Sequence, residues 1–66
     1  MTAPQISTET LIASIDHIID QARDDMRDLA RTATLRPLTA DELAEYESLG
    51  RTINHQGLQR DKLLAQ

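Results

Sequence analysis

Residues 37–50, PLTADELAEYESLG, decide the fold, because they contain a complete set of signals for the start of a helix. Thr39 and Glu42 have the spacing of a capping box, in which each side chain accepts a hydrogen bond from the other residue's backbone N–H. Leu38 and Leu43 occupy the two positions of a hydrophobic staple. Pro37 disfavours helical conformation in the residue before it. The stretch therefore predicts a short turn at residues 36–39 and a helix from residue 40 onward.

The sequence before this turn predicts a first helix. Ser7 is a suitable N-cap, Glu9 falls in the first turn, and Ile6 and Leu11 match a second hydrophobic staple. No Gly or Pro occurs from there to Pro37. We therefore predict a helix over residues 8–35, preceded by a loose lead-in over residues 1–6.

The extent of the second helix is less strongly specified. Gly50 and Gly57 each lower helix propensity by about 1 kcal/mol relative to Ala, but the segment after Gly57, LQRDKLLAQ, again favours a helix. We predict one helix over residues 40–64, so that residues 7–66 form a single domain. The alternative is a break at Gly57 followed by a short third helix.

Both helices carry apolar residues at alternating spacings of three and four, the pattern of a coiled-coil seam. On the first helix the seam residues are Ile12, Ile15, Ile19, Ala22, Met26, Leu29 and Ala33, with Leu11 and Ile18 beside them. On the second helix they are Tyr46, Leu49, Ile53, Gln56, Arg60 and Leu63, with Leu43, Gly50, Gly57 and Leu64 beside them.

A connector this short places consecutive helices side by side and antiparallel. The sequence thus predicts an all-α, antiparallel two-helix hairpin, in which Tyr46 comes level with Leu29 and Ile53 with Ala22. Two helices alone cannot enclose a core, and Leu11, Ile18, Leu43 and Leu64 would remain exposed. We therefore expect two hairpins to pair into a four-helix bundle, or one hairpin to dock on another protein. Tyr46, the sole aromatic residue, fits either an interface anchor or a cap on the hairpin core.

Composition excludes several kinds of site and partner. The 66 residues include no Cys and two His, which cannot supply the usual ligands of a structural zinc site. The formal net charge of −4 disfavours nucleic acid and anionic membrane as partners. No apolar run is long enough to span a bilayer, and the N-terminus lacks a signal-peptide pattern. We expect a small acidic cytoplasmic protein with no cofactor.

The charged residues of the first helix predict surface ion pairs rather than a catalytic or metal site. Asp residues recur at every fourth position from Asp16 to Asp28, and Arg23, Arg27 and Arg31 each follow an Asp by three. His17, between Asp16 and Asp20, lacks the Glu-x-x-His partners of di-metal bundles, and His55 has no evident role. No nucleophile, acid–base pair or phosphate loop of familiar spacing is present, so we expect no enzymatic activity.

Residues 35–53, LRPLTADELAEYESLGRTI, resemble the turn and second helix of helical hairpins in the scaffolding segments of tailed-phage capsid proteins. The resemblance covers less than a third of the chain and implies a role in assembly. Gly50 and Gly57 depart from the charged coiled coil with which such scaffolds continue.

These observations predict a non-enzymatic helical protein–protein interaction module that self-associates, most simply as a homodimer, and acts in assembly, as an adaptor or in regulation. The alternative is a small inhibitor or antitoxin-like protein that docks on one host or cognate protein. A nucleic-acid-binding regulator ranks third.

Overall fold

The computed structural model describes residues 7–65 of the chain. The predicted lead-in over residues 1–6, with Ile6 of the first staple, and the terminal Gln66 lie outside the described residues. The described part contains two helices, α1 (Thr8–Leu35) and α2 (Ala40–Leu64), which pack against each other. The prediction of an all-α hairpin is confirmed.

Helix α1 begins at the predicted cap. The Ser7 side chain accepts a hydrogen bond from the Thr10 backbone N–H at 3.1 Å, and the Ser7 backbone is extended. The helix ends where Arg36 turns to an extended conformation and its N–H donates to the Thr32 carbonyl at 3.1 Å. The proline that follows Arg36 accounts for this end, because a residue before proline avoids the helical region.

Helix α2 begins with the full capping box. The Thr39 hydroxyl accepts from the Glu42 N–H at 3.2 Å, and the Glu42 carboxylate accepts from the Thr39 N–H at 2.9 Å. Each of these N–H groups would otherwise lack a partner within the helix. Asp41 and Glu42 add negative charge where the helix dipole favours it.

Helix α2 continues through both of its glycines, so the alternative of a separate third helix is wrong for the described residues. Neither Gly50 nor Gly57 has a positive φ, and both lie inside the helical span. A Cβ placed on either glycine would meet nothing within 4 Å. These glycines therefore serve no turn and no close contact between the two helices.

The turn is closed by a side chain that the sequence did not indicate. Arg36 donates from Nη1 and Nη2 to the two carboxylate oxygens of Glu42, at 2.8 and 2.9 Å, and from Nη1 to the Pro37 carbonyl at 3.1 Å. The Arg36 guanidinium, with the Thr39 backbone N–H, lowers the pKa of Glu42 to about 2. Paired with Glu42, Arg36 has a raised pKa. One carboxylate thus caps α2 and ties it to the end of α1.

Candidate interaction surface

The contact between the helices buries very little. Among the described residues only Ile15, Ile19 and Ala22 are buried, and all three belong to α1. Helix α2 has no buried residue. The hairpin therefore has the seam that heptad spacing predicts. Helix α2 covers the seam of α1 from one side and leaves its other side open.

The predicted seam and interface residues fall into three groups by exposure. The buried ones are Ile15, Ile19 and Ala22. The half-buried ones are Ile12, Met26, Leu29, Leu49, Ile53 and Leu63. The exposed ones are Leu11, Ile18, Leu43, Tyr46 and Leu64.

Ala33, expected as the last seam residue of α1, is exposed instead. The predicted register places it level with Glu42 in the first turn of α2. Ala33 lies two residues from the end of α1, and the Glu42 side chain is engaged with Arg36 instead of the seam. The apolar seam consequently stops short of the turn.

One ion pair between the helices shows how they are aligned. Arg60 Nε of α2 lies 2.9 Å from Asp16 Oδ1 of α1. The predicted register places Arg60 level with Ile15, the residue before Asp16, so the observed alignment agrees with it to within one residue. The Arg60 Nε atom is shielded from solvent, but its N–H is not aligned for a hydrogen bond to this oxygen. The contact is therefore a charge interaction across the seam, and its partial exposure limits its strength.

The Asp16–Arg60 ion pair lies on one face of the hairpin, which we call the charged face. A depression of about 310 Å³ on it is lined by residues of both helices, Asp16, Ile19, Asp20, Arg23, Ile53, Gly57, Arg60 and Asp61. A second, open depression of about 550 Å³ adjoins it on α2, bordered by Asn54, Gly57, Leu58 and Asp61 together with Ile53. Both depressions include Gly57, whose missing side chain leaves this part of the surface hollow.

Leu11 and Ile18 lie on the opposite face. Successive residues of a helix are about 100° apart, which places them about 140° to 160° around α1 from Asp16. On α2, Thr52 and Gln59 lie at similar angles from Gly57, so they belong to this opposite face. Both are half-buried beside the seam. The four surplus apolar side chains are thus divided between two faces. Leu43 and Leu64 lie on the same side of α2 as Gly57 and belong to the charged face.

The centre of this opposite face has no Asp, Glu, Lys or Arg, and we call it the uncharged patch. It consists of Leu11, Ser14, Ile18 and Gln21 from α1 and Thr52, His55 and Gln59 from α2. Charged residues stand at both ends of this patch, with Lys62 seven residues beyond His55 toward the open end. Seven residues farther along each helix, toward the turn, stand Asp25, Asp28 and Glu45.

The heptad spacing does not predict two of the exposed leucines. Leu35 is 85% exposed at the end of α1, and Leu58 is 62% exposed beside Gly57. Neither is at a seam position, so the three-and-four spacing gives no signal for them. The sequence likewise predicts Arg36 only as a helix end, because no local rule predicts an ion pair across a proline turn.

The charged strip of α1 forms two of the three expected local pairs, and among the described residues Arg23 is not paired with Asp20. Arg27 lies 3.3 Å from Asp24, and Arg31 lies 3.9 Å from Asp28, with all four side chains well exposed. Asp16 differs from this pattern, because it reaches across to Arg60 on α2.

Within residues 7–65, no three His, Asp or Glu side chains are placed to share a metal ion. Neither α1 nor α2 is both long and apolar enough to cross a lipid bilayer. Comparison of the chain with protein-family models, curated proteins and solved structures found no match.

Proposed function

We propose that this protein is a non-enzymatic helical association module whose hairpins pair into a four-helix bundle, serving assembly, an adaptor role or regulation. The observation that supports this most directly is the imbalance between three buried apolar residues and seven exposed large ones among the described residues. Exposed apolar side chains grouped on a small protein are typical of surfaces that bind other proteins.

Small domains of this size commonly gain stability from disulfides, metals or oligomerisation. The chain has no Cys, and the described residues provide no cluster that could bind a metal. Pairing of identical chains supplies the missing apolar contacts without either, since each copy covers the open side of the other's seam.

The test is the molar mass of the untagged chain, measured by light scattering after gel filtration over a range of micromolar concentrations. We expect twice the 7.4 kDa of one chain, together with a melting temperature that rises with concentration. A monomer that melts cooperatively at high temperature, independent of concentration, would contradict the proposal.

A second candidate function, docking on a different protein as an inhibitor or antitoxin-like partner, is favoured by the two depressions that meet at Gly57. Asn54, Gly57, Leu58 and Asp61 have the spacing of the four residues that form a hole for a knob from another helix. This candidate predicts a chain that is only partly helical alone and gains ordered helix on adding one purified protein partner, observed by circular dichroism.

A further inference from the structure

We infer that the second copy packs on the uncharged patch, with its turn at the opposite end of the bundle, and that the charged face stays outside this contact. The inference rests on the proposed self-association and specifies which surface carries it. Both faces expose large apolar side chains, so their number does not distinguish the two faces.

Their spacing does distinguish them. Leu11 and Ile18 are two helical turns apart, about 10 Å along α1, and no charged side chain of this face separates them. On the charged face Leu43 and Leu64 are about 32 Å apart along α2. The surface between them holds two glycines, and Arg60 and Asp61 border it. One face thus presents a continuous apolar patch, and the other presents two isolated leucines.

Charge supports the same choice. The centres of protein interfaces are depleted in charged residues, because desolvating a charge is costly. A contact centred on Ile18 would bring Ser, Thr, Gln and His side chains to its rim and leave ionised groups in water. A contact on the charged face would have to cover Asp16, Asp20 and Arg23 at its centre.

The distribution of charge along the face that contains the uncharged patch sets the orientation of the second copy. Asp25, Asp28, Asp41 and Glu45 stand on its turn half, whereas Lys62 stands near its open end. If both turns lay at the same end, the acidic groups of the two copies would face each other, which is unfavourable. With the turns at opposite ends, a two-fold axis through the uncharged patch places α2 against α2 and brings Lys62 of one copy toward the turn half of α2 in the other, where Glu45 stands.

A matched set of substitutions tests which face carries the contact between the two copies. Ile18 and Leu43 are similarly exposed, at 40% and 50%, but belong to opposite faces. We expect Ile18→Glu to weaken dimerisation about tenfold or more, measured by sedimentation equilibrium. Leu43→Glu and Leu64→Glu should leave the dimer constant within about twofold. Circular dichroism of each variant at high concentration checks that the helices are retained.

The orientation is tested by cross-linking, which the absence of native Cys makes clean. Ser14→Cys, Gln21→Cys and His55→Cys variants are mixed in pairs and treated with a short bismaleimide. A covalent dimer that forms chiefly between Ser14→Cys and Gln21→Cys supports turns at opposite ends, because α1 then lies against α1 of the other copy. A covalent dimer that forms chiefly between Gln21→Cys and His55→Cys would overturn that arrangement, because it requires α1 to lie against α2.

The outcomes separate the inference from the proposed function. A wild-type chain that is monomeric at all concentrations removes both. A wild-type dimer that is dissociated by Leu43→Glu or Leu64→Glu, and not by Ile18→Glu, keeps the proposed self-association and overturns the choice of face.

Discussion

The turn and the seam of this hairpin are stabilised in opposite ways. At the turn, every strong contact joins residues at most six positions apart, and the Thr39, Glu42 and Arg36 side chains satisfy one another. Along the seam the contacts join residues distant in sequence, and only one side of each apolar side chain is covered. The turn is therefore complete within one chain, whereas the seam leaves apolar surface exposed.

The largest effect is expected from Ile19→Asp, which places a carboxylate in the buried part of the seam. An unpaired buried charge costs several kcal/mol, so we expect a loss of more than about 3 kcal/mol of stability. Helix content by circular dichroism and molar mass by light scattering should fall together.

The control for that experiment is Arg27→Ala, which removes an exposed pair with Asp24 at 3.3 Å. Such pairs contribute little, and we expect a change within about 0.5 kcal/mol. Equal behaviour of the two variants would show that the assignment of seam and surface is wrong.

A smaller effect is expected at the turn from Thr39→Ala. The substitution leaves the Glu42 N–H without its hydroxyl acceptor, and losing an N-cap typically costs about 1 kcal/mol. Thermal unfolding at one fixed chain concentration measures it. Thr39→Ser, which keeps the hydroxyl, should remain close to wild type, and equal loss in both variants would argue against the cap as the cause.

Gly57→Ala is expected to act in the opposite direction and to stabilise the hairpin. A methyl group there meets nothing within 4 Å, and Ala exceeds Gly in helix propensity by up to about 1 kcal/mol. We expect unfolding at a higher temperature and an unchanged molar mass. Destabilisation or dissociation would show that another chain approaches Gly57 closely and that the charged face is covered.

The smallest effect is expected from acid. Because the pKa of Glu42 is lowered to about 2 from an ordinary value of about 4.5, its contribution to stability is fully present above pH 4.5 and is lost as the pH falls toward 2. Both partners of its ion pair contact water, which limits the size of the loss. Relative to wild type, Glu42→Gln should show a weaker decline in thermal stability over that range. Parallel curves for the two proteins would contradict this role.

The same contrast explains what could be predicted from the sequence. The caps at Ser7 and Thr39 and the position of the turn depend on residues within a few positions of each other, and local rules describe them. The division of Leu11 and Ile18 from Leu43 and Leu64 between two faces depends on how the helices are joined side by side, which the Asp16–Arg60 contact reveals. Arg36 could not be predicted, since its contact with Glu42 depends on the path of the chain through Pro37.

The Asp16–Arg60 ion pair has a consequence for how the hairpin opens. It is the cross-helix ion pair of the described residues that lies away from the turn, and both of its side chains are partly exposed. The strongly bonded turn and this weaker attachment imply that amide hydrogens should exchange with solvent first near Thr8 and Leu64, and later at each position closer to Pro37. Added salt, which screens exposed charges, should speed exchange at the outer positions and leave the inner ones almost unchanged, so the two helices separate progressively from their free ends.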